Sequence, residues 1–301
     1  MKVLFIVNPA AGGRQESSAY VYNIVSSIFG HERGFFRVKE TSGAGHAGAL
    51  AREALSSGFE CVVACGGDGT VNEVAGVLVG SPALLGILPL GAANSLARGL
   101  NIPLDPAEAM GLIKGRTVRG VDAGIFCGRF FFGSAGFGLD GDFARKYKQL
   151  FFASKPREFY RRHPGALREF LRHKDEELSI KVDNALLKVR SLSLAASNVE
   201  NYGGPAIMAP GADPGDGLIE LSIMPAMGPL SVPGVWRKLL GGTISSLKGF
   251  RSVRGREILI PRGGYKTEAH VDGEPFDWIG DIEISSVQRG LKVLTAASVS
   301  F

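Results

Sequence analysis

Apolar and polar residues alternate in blocks along the first part of the chain. Short apolar runs at residues 2–7, 59–64 and 84–88 predict buried β-strands. Between them, apolar residues recur at helical spacing over residues 17–29 and 46–56, which predicts amphipathic helices. The pattern adds a strand at 35–39, helices at 71–79, 94–100 and 106–114, and a strand at 117–122. Alternating strands and helices predict a parallel α/β domain over residues 1–124.

The pattern changes in the second part of the chain, where apolar residues recur at every second position, as over residues 179–182. This period is typical of half-buried strands. Strands are predicted at 130–138, 178–183, 186–196, 218–224, 257–261, 269–274 and 281–285. Asp183 and Asn184 form a hairpin-turn signal between two of them. We therefore expect an antiparallel β-sandwich or flattened barrel over residues 125–301, with the last strand a candidate to pack back on the first domain.

Composition narrows the class of protein. The chain has 301 residues, of which 45% are hydrophobic and 21% charged, as in globular proteins with a full core. No apolar run approaches the roughly 20 residues that span a bilayer. The first apolar run ends at Asn8 and Pro9, which favours a strand over a signal peptide. Three cysteines without a CxxC pair indicate neither a metal site nor a disulfide framework, so we expect a cytoplasmic protein.

Positive charge is concentrated in one segment. The net charge is +5, which favours anionic partners. Ten cationic residues with interleaved aromatic residues fall within residues 145–174: Arg145, Lys146, Lys148, Lys155, Arg157, Arg161, Arg162, Arg168, Arg172 and Lys174. Such a segment can lie on an anionic membrane surface or bind nucleic acid. It can equally be the solvated face of a helix.

The candidate chemistry centres on residues 65–73, Cys-Gly-Gly-Asp-Gly-Thr-Val-Asn-Glu, between a predicted strand and a predicted helix. Glycines at such a turn let backbone N–H groups approach a ligand, and the helix start favours phosphate. Asp68 is unusual there, because a carboxylate repels phosphate unless it holds a magnesium ion or orients a hydroxyl. The alternative is a tight turn in which Asp68 caps the helix.

Two further glycine-containing loops follow predicted strands, at residues 8–13 and 90–94. Ligands of open α/β sheets bind outside the carboxyl ends of the strands. We therefore expect these loops and the 66–72 loop to meet at one edge of the sheet.

Several of these motifs together resemble the diacylglycerol kinase catalytic family, in particular the bacterial lipid kinases related to sphingosine and ceramide kinases. The resemblance covers essentially the whole length. It rests on Asn8-Pro9, the 66–73 motif, Pro89-Leu90-Gly91 with Asn94, Gly136-Phe137-Gly138, Asp216-Gly217 and Asp272-Gly273-Glu274. NAD kinases share the 66–73 motif, and the 271–274 and Asn94 motifs favour the lipid branch.

The resemblance implies a kinase that uses ATP and Mg²⁺ and whose fold is an α/β domain followed by a β-sandwich. The implied nucleotide-binding residues are Asn8, Pro9, Ala10, Ala11, Gly12, Thr41, Gly66, Gly67, Asp68, Gly69, Thr70, Val71, Asn72 and Ala92. Asp68 would lie near the catalytic magnesium ion, and Glu274 would accept the proton of the lipid hydroxyl. Asp68 is the competing candidate for that base.

The resemblance also implies a second, structural magnesium site at Asp213, Asp216 and Leu218. Asp216 would supply a carboxylate and Leu218 a backbone carbonyl, and such oxygen ligands suit a hard cation. The alternative is an ordinary Asp-Gly turn before a strand. The third loop departs from the pattern of many bacterial members, because Ala92 replaces a threonine and Ser95 an aspartate.

The expected acceptor is diacylglycerol or a related lipid alcohol at the membrane surface. The basic segment 145–174 is the expected membrane contact, a homodimer is possible within this family, and no nucleic-acid partner is expected. The run Phe130-Phe131-Phe132 is a candidate cavity wall, although aromatic runs in strands are mostly core. Two other functions stay open: a kinase with a soluble acceptor such as NAD, and a non-catalytic sensor of lipid or nucleotide.

Overall fold

The computed structural model describes residues 1–11, 17–29, 36–147, 161, 165, 173–228 and 231–296. The chain folds into two compact units, one of Met1–Val121 with the described residues from Arg289 onward, and one of Asp122–Gln288. The part of the chain that the structure describes contains no helix with both the length and the apolar character needed to cross a membrane.

The first unit is built on parallel strands covered by helices. Its strands are β1 Val3–Val7, β2 Phe36–Glu40, β3 Cys61–Gly66 and β4 Leu84–Pro89, and its helices are α1 Ser17–Phe29, α2 His46–Ser56, α3 Asp68–Leu78, α4 Ser95–Gly99 and α5 Pro106–Gly115. The strand order is β2-β1-β3-β4, and every pairing is parallel. All residues of β1 and β3 are buried, which explains their unbroken apolar sequences.

The second unit is mainly antiparallel. Its elements, the first and last of which run into the first unit, are β5 Val118–Phe126, β6 Arg129–Phe131, β7 Ser134–Gly138, α6 Leu139–Tyr147, β8 Glu176–Val182, β9 Ala185–Ser191, β10 Ser193–Ser197, β11 Asn201–Tyr202, β12 Ala206–Ile207, β13 Ile219–Met224, α7 Val232–Leu240, a 3₁₀ turn Ile244–Ser246, β14 Arg251–Gly255, β15 Glu257–Ile260, β16 Lys266–Val271, β17 Glu274–Ile279 and β18 Ile282–Leu294.

Two sheets of this unit enclose one core. One sheet has the order β14-β13-β10-β7-β16-β17, and the other includes β18-β15-β8-β9. Buried residues from both, among them Phe137, Leu221, Ile180 and Ile258, form a single cluster. Full burial of such side chains contributes about 1.5–3 kcal/mol each. The predicted fold class, a parallel α/β domain followed by an antiparallel β-sandwich, is confirmed.

The structure corrects three predicted strands and adds two helices. The predicted strand 269–274 is the end of β16 and the start of β17, because Val271 pairs with Glu274 across the turn at Asp272 and Gly273. The predicted strand 130–138 is two strands, because β6 pairs with β5 whereas β7 pairs with β10 and β16. The predicted strand 186–196 is also two, since the chain changes sheets at Leu192. The sequence pattern does not predict helices α6 and α7. The Asp183–Asn184 turn is confirmed, with Val182 paired to Ala185 across it.

Strand β18 belongs to both units. Residues 282–285 pair antiparallel with β15 inside the second unit. Lys292 and Val293 pair in parallel with Leu84 and Leu85 of β4 inside the first unit. The sheet of the first unit is therefore completed by a strand that follows most of the second unit in sequence.

Candidate functional site

Four segments of the first unit meet at the carboxyl ends of its parallel strands, namely those that follow β1, β2, β3 and β4. The N–H of Asn8, after β1, donates to the Cys65 carbonyl at 2.9 Å. The N–H of Leu90, after β4, donates to the Gly66 carbonyl at 2.9 Å. Thr41, after β2, donates to the Val7 carbonyl at 2.8 Å. The structure thus brings these sequence-predicted residues to one edge of the sheet.

Asn8 ties the first loop to helix α3. Its side-chain oxygen accepts the Ala10 N–H at 3.0 Å and so shapes the turn that follows β1. Its side-chain nitrogen donates to the Thr70 hydroxyl oxygen at 3.1 Å. Of the other residues predicted here, Pro9, Ala10 and Ala11 form the turn, while Gly12 lies outside the described residues.

The second and third loops approach each other closely at Gly67 and Gly91, which leaves no room for a side chain on Gly91. A Cβ on Gly91 would lie 2.4 Å from the Gly67 Cα, and a Cβ on Gly66 would lie 2.5 Å from the Thr70 hydroxyl oxygen. Real Cβ atoms do not tolerate such distances, so glycine is required at both positions. The result is a stretch of backbone without side chains that a phosphate can approach, so these residues fit the implied nucleotide.

The start of helix α3 faces this surface with the polarity that an anion needs. Its cap residue, Gly67, supplies no side-chain hydrogen bond to the first turn. The N–H groups of a first turn have no partners within the helix and carry the positive end of its dipole. Among the remaining predicted residues, Asn72 is half-buried and Ala92 exposed, whereas the Val71 side chain is buried in the core.

Gly67 occupies the cap position of helix α3, whereas a helix cap was one of the two roles that the sequence context of Asp68 allowed. Asp68 is the first residue of α3, and its carboxylate accepts the N–H of Ser95, the first residue of α4, at 2.6 Å. Asn94, in the left-handed region with φ 51°, accepts the Gly91 N–H at 3.1 Å. The third loop is therefore held from both sides. No local sequence pattern indicates that the Ser95 N–H is the partner of Asp68.

The side chain of Ser95 carries a buried hydroxyl group at the third loop. Its hydroxyl oxygen is buried and has no hydrogen-bond partner among the described residues. Buried hydroxyl groups are normally bonded, so this one is suited to a water, cation or phosphate oxygen at the loop.

Glu73, the last residue of the glycine motif, acts in the scaffold. Its carboxylate accepts the N–H groups of Gly45 at 2.7 Å and Gly48 at 3.3 Å, at the start of helix α2. Helix α2 has no side-chain cap of its own, because Gly45 precedes it. A carboxylate at a helix start is favourable for both hydrogen bonding and the dipole. Glu73 thus fixes α2 against α3.

The predicted structural magnesium site forms one tight turn. Asp213 accepts the Gly215 N–H at 3.1 Å, and Asp216 accepts the Leu218 N–H at 2.9 Å. A carboxylate can accept such a bond and still ligate a cation. No group of three His, Cys, Asp or Glu suited to a metal occurs among the described residues. The donor set fits Mg²⁺ only with carbonyls and water as the remaining ligands.

Asp122 supports this turn, and no sequence pattern indicated that role. Its side chain is fully buried, and its carboxylate accepts the Gly217 N–H at 2.6 Å. Its own N–H donates to the Pro214 carbonyl at 2.7 Å. A buried acid held in this way fixes the loop backbone between Pro214 and Gly217.

Glu274 follows a two-residue hairpin turn in the second unit. Val271 pairs with Glu274 across Asp272 and Gly273, which have φ 45° and 81°. The Asp272 carboxylate accepts the N–H groups of Phe132, Gly133 and Ser134 at 2.8–2.9 Å. The Asp272 N–H donates to the Ser134 carbonyl at 2.7 Å. The turn is therefore clamped, and Glu274 is exposed at the start of β17.

Three other candidates prove to be structural or lie mostly outside the described residues. Phe131 and Phe132 are fully buried, as the core interpretation predicted. Burial raises the pKa of Cys61 to about 12 and that of Cys127 to about 11, so both thiols are protonated near neutral pH. Within the basic segment, residues 148–160, 162–164 and 166–172 lie outside the described residues, and Arg145 is paired with Asp277.

The chain is similar to known proteins over both units. Residues 2–125 match the family described as diacylglycerol kinase catalytic domain, and residues 133–293 match the one described as YegS C-terminal NAD kinase beta sandwich-like domain. A Pseudomonas aeruginosa (strain UCBPP-PA14) protein named "probable lipid kinase YegS-like" is 32% identical over 92% of this chain and 88% of its own length. A Pseudomonas fluorescens (strain Pf-5) protein of the same name is 33% identical over 79% of each.

A solved structure shares the fold. The crystal structure of a diacylglycerol kinase from Bacillus anthracis str. Sterne matches with a TM-score of 0.76, covering 99% of this chain and 98% of that chain. Sequence identity in that match is 21%, so it shows the fold alone.

Proposed function

The chain belongs to the diacylglycerol kinase catalytic family, and from this premise we propose that it transfers the γ-phosphoryl group of ATP to the hydroxyl of diacylglycerol or a related lipid alcohol. The observation that supports this proposal most is the contact between Gly67 and Gly91 beside the start of α3. A side-chain-free surface at a helix start is suited to phosphate groups. The relatives named above carry the name "probable lipid kinase YegS-like", which favours a lipid acceptor.

Different residues of the chain have different roles in the proposed reaction. ATP with Mg²⁺ supplies the transferable phosphoryl group and neutralises its charge when bound. The loops after β1, β3 and β4 orient the phosphates through backbone N–H groups. Asp68 holds the third loop through Ser95 and adds a carboxylate for the cation. In this proposal the Glu274 carboxylate takes the hydroxyl proton as the new O–P bond forms and the bond to ADP breaks.

The test is phosphoryl transfer from ATP, with Mg²⁺, to a panel of acceptors in mixed micelles. The panel contains diacylglycerol, monoacylglycerol, sphingosine, ceramide and phosphatidylglycerol, with NAD as a soluble acceptor. A phosphorylated lipid is the expected product. Phosphorylation of NAD alone would contradict the lipid assignment, and ATP binding without transfer to any acceptor would favour a sensor.

We also propose that the 213–218 turn binds Mg²⁺. At ten times its dissociation constant, the cation would stabilise the folded state by about 1.4 kcal/mol, which is a rise of a few degrees in Tm. We expect Asp216→Asn to abolish this rise, because it removes a charged ligand while the amide oxygen still accepts the Leu218 N–H. Thermal unfolding with and without Mg²⁺, with Glu257→Gln as the control, measures it. An equal rise in both variants would place the cation elsewhere.

Membrane contact through residues 145–174 and a homodimer stay predictions. The charge pattern predicts that the protein sediments with liposomes containing anionic lipid and less with neutral ones. Equal sedimentation with both would contradict electrostatic docking.

A further inference from the structure

The second unit contains a buried polar cluster that the proposed chemistry does not use. His270 and Tyr202 are 2% and 4% exposed, and their rings pack edge to face. The His270 Nε2 lies 2.9 Å from a carboxylate oxygen of Asp140 and 3.0 Å from the Tyr202 hydroxyl. The Tyr202 hydroxyl donates to the other carboxylate oxygen of Asp140. All three side chains are thus joined.

The hydrogen-bond partners of His270 determine which ring nitrogen donates and which accepts. Its Nδ1 accepts the Gly273 N–H at 3.3 Å, so this nitrogen carries no proton. The ring proton is therefore on Nε2 and is donated to Asp140. Burial, and then the charge of Asp140, raise the pKa of Tyr202, so its hydroxyl stays a donor. The chain of contacts runs from Tyr202 and Asp140 through His270 to Gly273.

Two glycines are needed to build this chain of contacts. A Cβ on Gly136 would lie 2.1 Å from the Asp140 carboxylate, and a Cβ on Gly141 would lie 2.1 Å from the Glu268 carbonyl oxygen. Because Gly136 and Gly141 have no side chains, the first turn of α6 packs directly on β7 and β16. This packing holds Asp140 against His270. Gly136, part of the Gly136-Phe137-Gly138 motif, leaves room for the Asp140 carboxylate.

The hydrogen bond from the Gly273 N–H to His270 fixes the residue just before Glu274. Asp272 is already clamped to residues 132–134, which fixes the first half of the turn. The Gly273 bond to His270 fixes the second half. Glu274 itself is exposed, so its position depends on the backbone that precedes it.

We infer that His270, oriented by Asp140 and Tyr202, is a positioning residue that holds the Gly273 backbone and thereby sets the position of Glu274. This inference rests on the proposed function in so far as Glu274 is the proton acceptor. Positioning matters because a shift of about 1 Å in a reacting group can lower a rate roughly 10²-fold.

Two substitutions separate the two contacts of the ring. His270→Asn retains an acceptor near the Nδ1 position for the Gly273 N–H but loses the donor to Asp140. His270→Gln retains a donor near the Nε2 position for Asp140 but loses the acceptor for Gly273. We expect kcat to fall about 10- to 100-fold in the glutamine variant, with KM for ATP and lipid unchanged. The asparagine variant should remain within about threefold of wild type.

Hydrogen–deuterium exchange provides a readout that does not depend on catalysis. Exchange of the Gly273 amide should rise in His270→Gln and stay near wild type in His270→Asn. Tyr202→Phe, which removes a single oxygen atom, is expected to raise this exchange slightly and to lower kcat less than His270→Gln does.

The outcomes are distinguishable. Higher activity in the glutamine than in the asparagine variant would overturn the inference, because His270 would then act through Asp140. Two other results would also overturn it: an equal loss of kcat in both variants that parallels their loss of Tm, or no loss of kcat in either variant. If both His270 variants fail to fold, unchanged Gly273 exchange in Tyr202→Phe overturns it. If wild-type protein phosphorylates no lipid, the proposed function fails, whereas exchange at Gly273 still decides whether His270 holds the turn.

Discussion

Replacement of Glu274 by glutamine is expected to lower the kcat of lipid phosphorylation by about 10²- to 10⁴-fold, the usual contribution of a positioned general base. Glutamine has the shape of glutamate but cannot take the hydroxyl proton. Glu274 is exposed, and the clamp on Asp272 does not involve its side chain, so the fold should be unaffected. Initial rates over a range of ATP and lipid concentrations measure the effect, and KM should change little.

The matched control is Glu257→Gln, at another exposed glutamate that begins a strand of the same unit. A wild-type rate in Glu274→Gln would show that Glu274 is not the base. Asp68→Asn then discriminates the competing candidate, because asparagine still accepts the Ser95 N–H but cannot take a proton. If only Asp68→Asn loses kcat, with both the ATP affinity and its dependence on Mg²⁺ retained, Asp68 is the base and not only a cation ligand.

Gly91→Ala is expected to have the second large effect, on nucleotide affinity. Its Cβ would lie 2.4 Å from the Gly67 Cα and 2.9 Å from the Asn94 side-chain oxygen, so the two loops must move apart. Overpacking of this kind typically costs about 1–3 kcal/mol. Because the displaced backbone is the proposed phosphate surface, ATP affinity should fall by at least about tenfold.

Calorimetric titration with ATP and Mg²⁺, together with chemical unfolding, measures both effects. Gly111→Ala is the control, since a Cβ there meets nothing within 4 Å and Gly111 lies within helix α5. Alanine should stabilise that helix by up to about 1 kcal/mol and leave ATP binding unchanged. Unaltered ATP affinity in Gly91→Ala would show that the phosphates bind away from this contact.

The first unit was predictable from the sequence because its signals are local. The buried strands β1 and β3 are continuous apolar runs, and helices α1 and α2 have the predicted bounds, Ser17–Phe29 and His46–Ser56. Parallel order then brings the loops after β1, β3 and β4 to one edge of the sheet. Local patterns and the rules of parallel sheets therefore sufficed to place the glycine loops together.

The missed elements have weak or conflicting local signals. Helix α6 begins Leu139-Asp140-Gly141 and is polar overall, and it is stabilised by packing on β7 and β16, where Gly136 and Gly141 allow close approach. Helix α7 has Pro233 and Gly234 near its start, which lower its intrinsic helix propensity. The alternating pattern of apolar and polar residues through residues 186–196 continues across a change of sheet, so periodicity alone does not show the break.

By itself, the sequence determined the order of strands and helices in the first unit, the change from an α/β to a β domain, and the position of the glycine loops. Only the tertiary structure decided the partners of the key polar groups. Asp68 binds an N–H 27 residues away, Asp272 binds N–H groups 138–140 residues away, and His270 meets Asp140 across 130 residues. Periodicity and turn propensity depend on neighbours along the chain, whereas these hydrogen bonds depend on which elements pack together. The positions of Asp68 and Glu274 are therefore set by residues that no local pattern could identify.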